Sequence, residues 1–186
     1  MSLTDLEFRI LRETIAARGT VRMALLPATM LGWASLCGGL LVFTELPVAA
    51  VFPLGVLVAG FEAIHALHVG VERIGRYLQV YYEPGDGGPR WESTAMRLGP
   101  GLPGAGVDPL FTVVFVAAAM ANLVVALVPE PVVTDLAALL ALHAGFVIRV
   151  VRARAAAARQ RAVDLEVFRA LRAEDEGRGA QSDRPS

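Results

Sequence analysis

The sequence predicts an all-α membrane protein, a bundle of four transmembrane helices, and three observations lead to that fold class. The 186 residues are 55% hydrophobic, with a mean hydropathy of +0.53, which is more apolar than is usual for a soluble domain. Four long segments carry almost no charge. All 17 basic residues are arginines, and they all lie on one side of the membrane that those segments imply.

The four predicted spans cover residues 23–44, 48–83, 109–129 and 132–151. A helix of roughly 20 apolar residues crosses a hydrocarbon core of about 30 Å. The second segment is longer than this, so we expect its end to protrude into the cytoplasm. The fourth has Asp135 near one end and Arg149 near the other, and we expect both side chains to reach toward the interfaces.

The arginines also predict the orientation of the chain. None lies in the two short, proline-containing turns at 45–47 and 129–131, whereas arginines precede the first span, flank the middle loop and follow the fourth span. The positive-inside rule therefore places both termini in the cytoplasm of a bacterial inner-membrane protein. The predicted organisation is a cytoplasmic amphipathic helix at 1–20, the bundle at 21–151 with a Gly/Pro-rich cytoplasmic loop at 84–108, a cytoplasmic helix at 152–176 and a disordered tail at 177–186.

Several function classes are not supported by the composition. The formal net charge is −1, so we expect no nucleic-acid partner. The single cysteine, Cys37, excludes an intrachain disulfide and lies in an apolar run, where we expect an inert buried thiol. No arrangement of nucleophile, base and orienting group is visible, so an enzymatic activity has no support in the sequence.

A polar band follows the second helix. At about 100° per residue, one side of that helix collects the charged and imidazole side chains Glu62, His65, His68, Glu72 and Arg76, with Arg73 beside them. Glu72, Arg73 and Arg76 fall at the interface, where we expect a solvated face with a Glu72–Arg76 pair. Glu62 falls inside the hydrocarbon, where a charged acid costs at least ~2.5 kcal/mol, so it needs a partner.

Three ligand or transport interpretations of this band compete with a structural one. Glu62, His65 and His68 could join His143 of the fourth helix to bind zinc or iron. Imidazoles on two helices could hold a haem, although His143 is expected nearer the outer face than His65. Glu62 and the histidines could instead relay protons or ions.

The structural interpretation is the one that we favour. Glu62, His65 and His143 then form an interior hydrogen-bonded network that fixes helix packing, and no cofactor is bound. Ala and Gly recur at four-residue spacing on all four helices, a pattern that permits close helix packing. The sequence therefore predicts a helix-packing or interaction protein whose partners are the lipid bilayer and a second copy of the same chain.

Overall fold

The computed structural model describes residues 3–43, 45–83, 91, 93–94, 108 and 110–182. These residues contain no strand, so the predicted all-α fold is confirmed. The four helices of at least 16 residues are α1 (Leu3–Phe43), α2 (Val51–Tyr81), α3 (Thr112–Leu127) and α4 (Val133–Ser182), and a turn of 3₁₀ helix, Pro47–Ala50, leads into α2. Three stretches, within α1, α2 with its 3₁₀ turn and α4, are long and apolar enough to cross a membrane. α3 is also apolar, but its 16 residues span only about 24 Å.

The chain divides into two compact units. The first, here called the apolar unit, comprises residues 19–68 and 108–155. The second, the polar unit, comprises residues 1–18, 69–107 and 156–186 and contains most of the arginines. The helices α1, α2 and α4 each contribute residues to both units.

α1 is one helix of 41 residues, whereas the sequence predicts separate segments at 1–20 and 23–44. Gly19 lies where those segments meet. A lone glycine costs about 1 kcal/mol in a helix interior, which does not end a helix between good helix formers. Pro27 also lies within α1. Membrane helices tolerate such prolines because neighbouring helices satisfy the freed backbone groups.

α4 is one helix of 50 residues that joins the predicted segments 132–151 and 152–176. It continues through Ser182, into the segment 177–186 for which the composition predicts disorder. Ion pairs support the beginning of this extension, since Arg178 lies 3.5 Å from Glu174 and 3.7 Å from Asp175. The predicted loop 84–108 lies largely outside the described residues.

Three phenylalanines form the centre of the apolar unit. Phe61 of α2, Phe115 of α3 and Phe146 of α4 are almost fully buried and meet edge to face. Their ring centroids are 5.3 Å apart for Phe61–Phe115, 6.0 Å for Phe61–Phe146 and 6.4 Å for Phe115–Phe146. Perpendicular rings place the positive edge of one on the negative face of the next, so this cluster favours one specific arrangement of the three helices.

The contact between α1 and α2 depends on Gly60. A Cβ atom at Gly60 would lie 2.3 Å from the side chain of Thr29, which is itself buried. One turn away on α1, a Cβ at Gly32 would meet Val56 at 3.6 Å. Close backbone approach of this kind is how membrane helices gain van der Waals contact.

Candidate functional site

Asn122 is the centre of a polar cluster in the apolar unit. Its side chain is fully buried in the middle of α3 and has neighbours on α1, α4 and the 3₁₀ turn. Its amide oxygen accepts hydrogen bonds from Nε1 of Trp33 at 3.3 Å and from Sγ of Cys37 at 3.4 Å. Its amide nitrogen donates to the carbonyl of Ala50 at 3.0 Å and to Nε2 of His143 at 2.9 Å. These four contacts use the full hydrogen-bonding capacity of an asparagine side chain.

The imidazole of His143 is fully used in the same cluster. Its Nδ1 lies 2.7 Å from the carbonyl oxygen of Leu139, one turn earlier in α4, and only an N–H can make that bond. The proton is therefore on Nδ1, and Nε2 accepts from Asn122. A neutral imidazole in this state has no free nitrogen for a metal or haem iron.

Glu62 has its partner on α4. Nη2 of Arg149 lies 2.8 Å from Oε2 of Glu62, and it also lies 3.4 Å from Nδ1 of His65. The guanidinium stands over the ring of Phe61, with 5.6 Å from its central carbon to the ring centroid. Counting along the helices places Glu62 about 24 Å from the start of the 3₁₀ turn and Arg149 about 24 Å from the start of α4. The two charges pair because they lie at the same distance from the ends of neighbouring helices.

His68 belongs to a third set of contacts in the apolar unit. Nη1 of Arg22, on α1, lies 3.3 Å from Nδ1 of the buried His68. An arginine nitrogen can only donate, so Nδ1 of His68 is an acceptor and carries no proton. The contact is a polar link between α1 and α2, in addition to the close approach at Gly60.

The interfacial charges predicted on α2 lie in the polar unit and have partners there. The carboxylate of Glu72 lies 2.8 Å from Arg161 and 3.5 Å from Arg76. Arg73 lies 3.6 Å from Asp164. Arg76 is buried and donates to Gln79 at 2.9 Å. The structure thus places the predicted interior residues Glu62, His65 and His143 in two separate sets of contacts, and the predicted interfacial residues of the same polar network, Glu72, Arg73 and Arg76, in others.

Tyrosines surround one carboxylate in the polar unit. The hydroxyl of Tyr77 donates to Glu7 at 2.8 Å, and the Tyr77 ring stacks on Tyr81 with centroids 4.6 Å apart. Burial, together with a hydrogen bond to Glu7, raises the pKa of Tyr82 above its ordinary value. These phenols therefore stay protonated and act as hydrogen-bond donors at physiological pH.

The structure does not assemble the metal site predicted from Glu62, His65, His68 and His143. Among the described residues, no group of three or more His, Cys, Asp and Glu side chains is placed to hold a metal ion. The physical reason is that other protein groups occupy the proposed ligands. Arg149 binds Glu62, Arg22 binds His68, and Asn122 with the Leu139 carbonyl takes both nitrogens of His143.

A cavity of about 340 Å³ opens at the end of the apolar unit where the short connections lie. Its walls are apolar side chains of Leu40, Leu46, Val125 and Val128, with Glu45 the one charged side chain among its lining residues. Binding sites for small molecules combine such walls with several convergent polar groups. Among the described lining residues, Glu45 alone supplies a charged side chain to this combination.

Asp108 organises the start of α3. Its two carboxylate oxygens accept hydrogen bonds from the backbone amides of Leu110 at 3.1 Å and Thr112 at 2.8 Å. Phe111, between them, has a φ of 51°, which is uncommon for an aromatic residue. Burial acts to raise the pKa of Asp108, but hydrogen bonds from Thr112 and Leu110 outweigh it and lower the pKa below its ordinary value.

Three residues of these clusters do not follow from the sequence reasoning. Asn122 is the only asparagine of the chain, and its place in an uncharged run is a signal that it needs partners. Arg149 is expected at the interface, yet its distance from the helix start matches that of Glu62. The sequence around Arg22 does not indicate its contact with His68. Comparisons of the chain with protein-family models, with curated proteins and with solved structures find no match.

Proposed function

We propose that this chain is a helix-packing and interaction protein of the bacterial inner membrane that associates with itself through its apolar unit. The observation that carries this proposal is the ion pair between Glu62 and Arg149, at 2.8 Å. The charges that the apolar segments place in the bilayer neutralise each other across two helices of one chain. Their role is then to hold helices in register, since a charge within the hydrocarbon is costly without a partner.

The contacts of the histidines support an interaction role over a ligand-binding one. His143 has both nitrogens engaged by protein groups, and Nδ1 of His68 accepts from Arg22. Two of these bonds are interhelical, His143 with Asn122 and His68 with Arg22; such bonds contribute roughly 0.6 kcal/mol each in membrane proteins, and they specify which helices pack together. These contacts of His143 and His68 support a role of the polar side chains as packing determinants.

The proposed orientation rests on the arginine distribution. Both termini lie in the cytoplasm, and the turns near Glu45 and Glu130 face the other side, because the connections 45–47 and 129–131 contain no arginine. Reporter fusions at these two turns test the orientation. A reporter active only outside the cytoplasm is expected to be active at both, and a cytoplasmic signal at either turn would overturn it.

Self-association is tested directly in bilayers. The full chain, labelled with one fluorophore per copy, is reconstituted into phospholipid vesicles over a range of protein-to-lipid ratios. Stepwise photobleaching is expected to count two or more copies per assembly even at low protein density. A chain that remains monomeric at every density would refute the interaction role.

One observation favours a second candidate, a proton relay. Nε2 of His65 is buried and has no hydrogen-bond partner among the described residues, and it belongs to the imidazole that also contacts Arg149. Nδ1 of His65 accepts from Arg149, so Nε2 carries a proton that no described group accepts, and an N–H of this kind beside an ion pair can pass its proton on. Under this candidate, Glu62→Gln abolishes proton flux into vesicles, whereas flux that is absent in the wild type excludes it.

A further inference from the structure

The ion pair between Glu62 and Arg149 is only partly enclosed by its own chain. The side chains remain 43% and 41% exposed. Both hydrogen bonds that the structure describes for Arg149 are made by Nη2, one to Oε2 of Glu62 and one to Nδ1 of His65. Within the described part of the chain, Nε and Nη1 of Arg149 and Oε1 of Glu62 have no hydrogen bond. A guanidinium carries five N–H donors, so most of them remain available at this surface.

A single copy of the chain in a bilayer would hold these free polar groups in an unfavourable environment. Both charges are about 24 Å from the hairpin end of their helices, still within a hydrocarbon core of about 30 Å. Hydrocarbon offers no hydrogen-bond partners, so unsatisfied polar groups there are strongly destabilising. Another protein surface with the opposite pattern of donors and acceptors would satisfy them.

The helix faces beside the ion pair are exposed and built from small side chains. Exposed alanine and glycine residues recur at about one per helical turn beside the ion pair. They are Ala59, Ala63 and Ala66 on α2, and Ala138, Ala141 and Gly145 on α4. No described residue lies within 4 Å of where a Cβ at Gly145 would be. Such faces allow the backbone of another helix to come close, although they do not by themselves identify that helix.

We propose that a second copy of this chain covers this surface, in a two-fold dimer that places Glu62 of each copy against Arg149 of the other. This assignment rests on the proposed self-association and adds the surface that mediates it. The surface is self-complementary because it contains one acid and one arginine at the same depth. A two-fold axis between two such pairs gives an alternating ring of four charges with no net charge, and residue contacts in a two-fold interface are reciprocal.

The ring uses the groups that the single chain leaves free. Oε1 of Glu62 is the available acceptor, and Nε and Nη1 of Arg149 are the available donors. A carboxylate and a guanidinium can then form a second, charge-assisted set of hydrogen bonds across the interface. The flanking small residues let the helices of the two copies approach closely enough for those bonds to form.

Gly145→Leu tests this surface with little risk to the fold. The residue is exposed, a Cβ there meets none of the residues that the structure describes within 4 Å, and leucine is a better helix former than glycine. The matched control is Gly38→Leu, because Gly38 is also exposed and equally clear of described residues around its Cβ position, but lies on α1. Ala141→Leu, one turn from Gly145 on the same side of α4, is a second variant for the case in which Gly145→Leu does not fold.

Dimer dissociation in phospholipid vesicles is measured by stepwise photobleaching across protein-to-lipid ratios, with helicity checked by circular dichroism. We expect Gly145→Leu and Ala141→Leu to weaken dimerisation about tenfold or more, with helicity unchanged, and Gly38→Leu to match the wild type. A Gly145→Leu protein as dimeric as the wild type would overturn the assigned surface while leaving self-association in place. Equal weakening by Gly38→Leu would also overturn it. A monomeric wild type would remove both the surface and the proposed function.

Discussion

The amide nitrogen of Asn122 lies 2.9 Å from Nε2 of His143, and this contact joins α3 to α4 inside the apolar unit. The same asparagine accepts from Trp33 and Cys37 of α1. One side chain therefore holds three helices at once. In a membrane protein no hydrophobic force distinguishes one helix pairing from another, because lipid tails are as apolar as leucine. Polar contacts such as this one then determine which helices meet.

Replacing Asn122 with alanine is expected to destabilise the protein by about 2 kcal/mol, because four hydrogen bonds average roughly 0.6 kcal/mol each in membranes. Met120→Ala is the matched control, since Met120 is exposed on the same helix. The measurement is a reversible unfolding titration in mixed micelles with increasing SDS. Equal stabilities of the Asn122→Ala and Met120→Ala proteins would show that the cluster does not hold the helices.

The engagement of His143 predicts that the purified protein binds neither haem nor a stoichiometric metal. Both imidazole nitrogens are already occupied by Leu139 and Asn122, so a metal would have to break a buried hydrogen bond to bind. We expect no Soret band, no zinc or iron by elemental analysis, and the same melting temperature before and after treatment with EDTA. Stoichiometric zinc that disappears in the His143→Ala variant would contradict this placement of the imidazole.

Much of the fold is predictable because the length and position of apolar runs determine the helices. The second predicted span, 48–83, corresponds to the 3₁₀ turn and α2, and the turns at Pro47 and Pro129 follow from their prolines. The need of Glu62 for a partner on another helix is also predictable from the cost of a buried charge. The identity of that partner is harder to predict, because the depth and the rotation of α4 together decide which of its side chains reaches Glu62. From the sequence alone, Arg149 is expected to be an interfacial side chain.

The close approach of α1 and α2 is harder still to predict from the sequence. Alanine and glycine occur on several faces of α2, so spacing alone does not say which face meets α1. The structure selects Gly60, against Thr29, whereas Ala59, Ala63 and Ala66 are exposed. The choice depends on how the three phenylalanines and the Asn122 cluster orient all the helices at once, which is a property of the assembled unit.

Gly60→Ala is expected to destabilise the protein by about 1–3 kcal/mol, the usual cost of overpacking a tight contact. The new methyl would lie 2.3 Å from the side chain of Thr29, so α1 and α2 would have to separate. Gly55→Ala is the control, because its Cβ position is more than 4 Å from every neighbour in the described part of the chain. The better helix propensity of alanine should make this variant neutral or stabilising by up to about 1 kcal/mol. Unfolding in SDS-containing micelles measures both.

A second substitution tests whether Thr29 is the cause. Thr29→Ala removes the hydroxyl and the methyl group that lie closest to the Gly60 position, leaving only its Cβ nearby. The double variant Thr29→Ala with Gly60→Ala should therefore recover part of the stability that Gly60→Ala loses. Additive losses in the double variant would mean that the two residues do not compete for the same space.

The cap formed by Asp108 predicts a stability that depends on pH. Because hydrogen bonds lower the pKa of this carboxyl in the folded protein, its contribution is present above the ordinary value of 3.8 and is lost as the pH falls through the lower folded value. Asp108→Ala should cost about 1 kcal/mol at pH 7, as the loss of a helix cap does, and should cost progressively less below pH 3.8. Thermal unfolding of both proteins in micelles at several pH values measures this difference.

The control is Glu45→Ala. It removes an exposed carboxylate from the connection between α1 and the 3₁₀ turn and should change stability little at any pH. A cost of Asp108→Ala that stays constant between pH 7 and pH 2 would show that its ionised carboxylate does not cap α3.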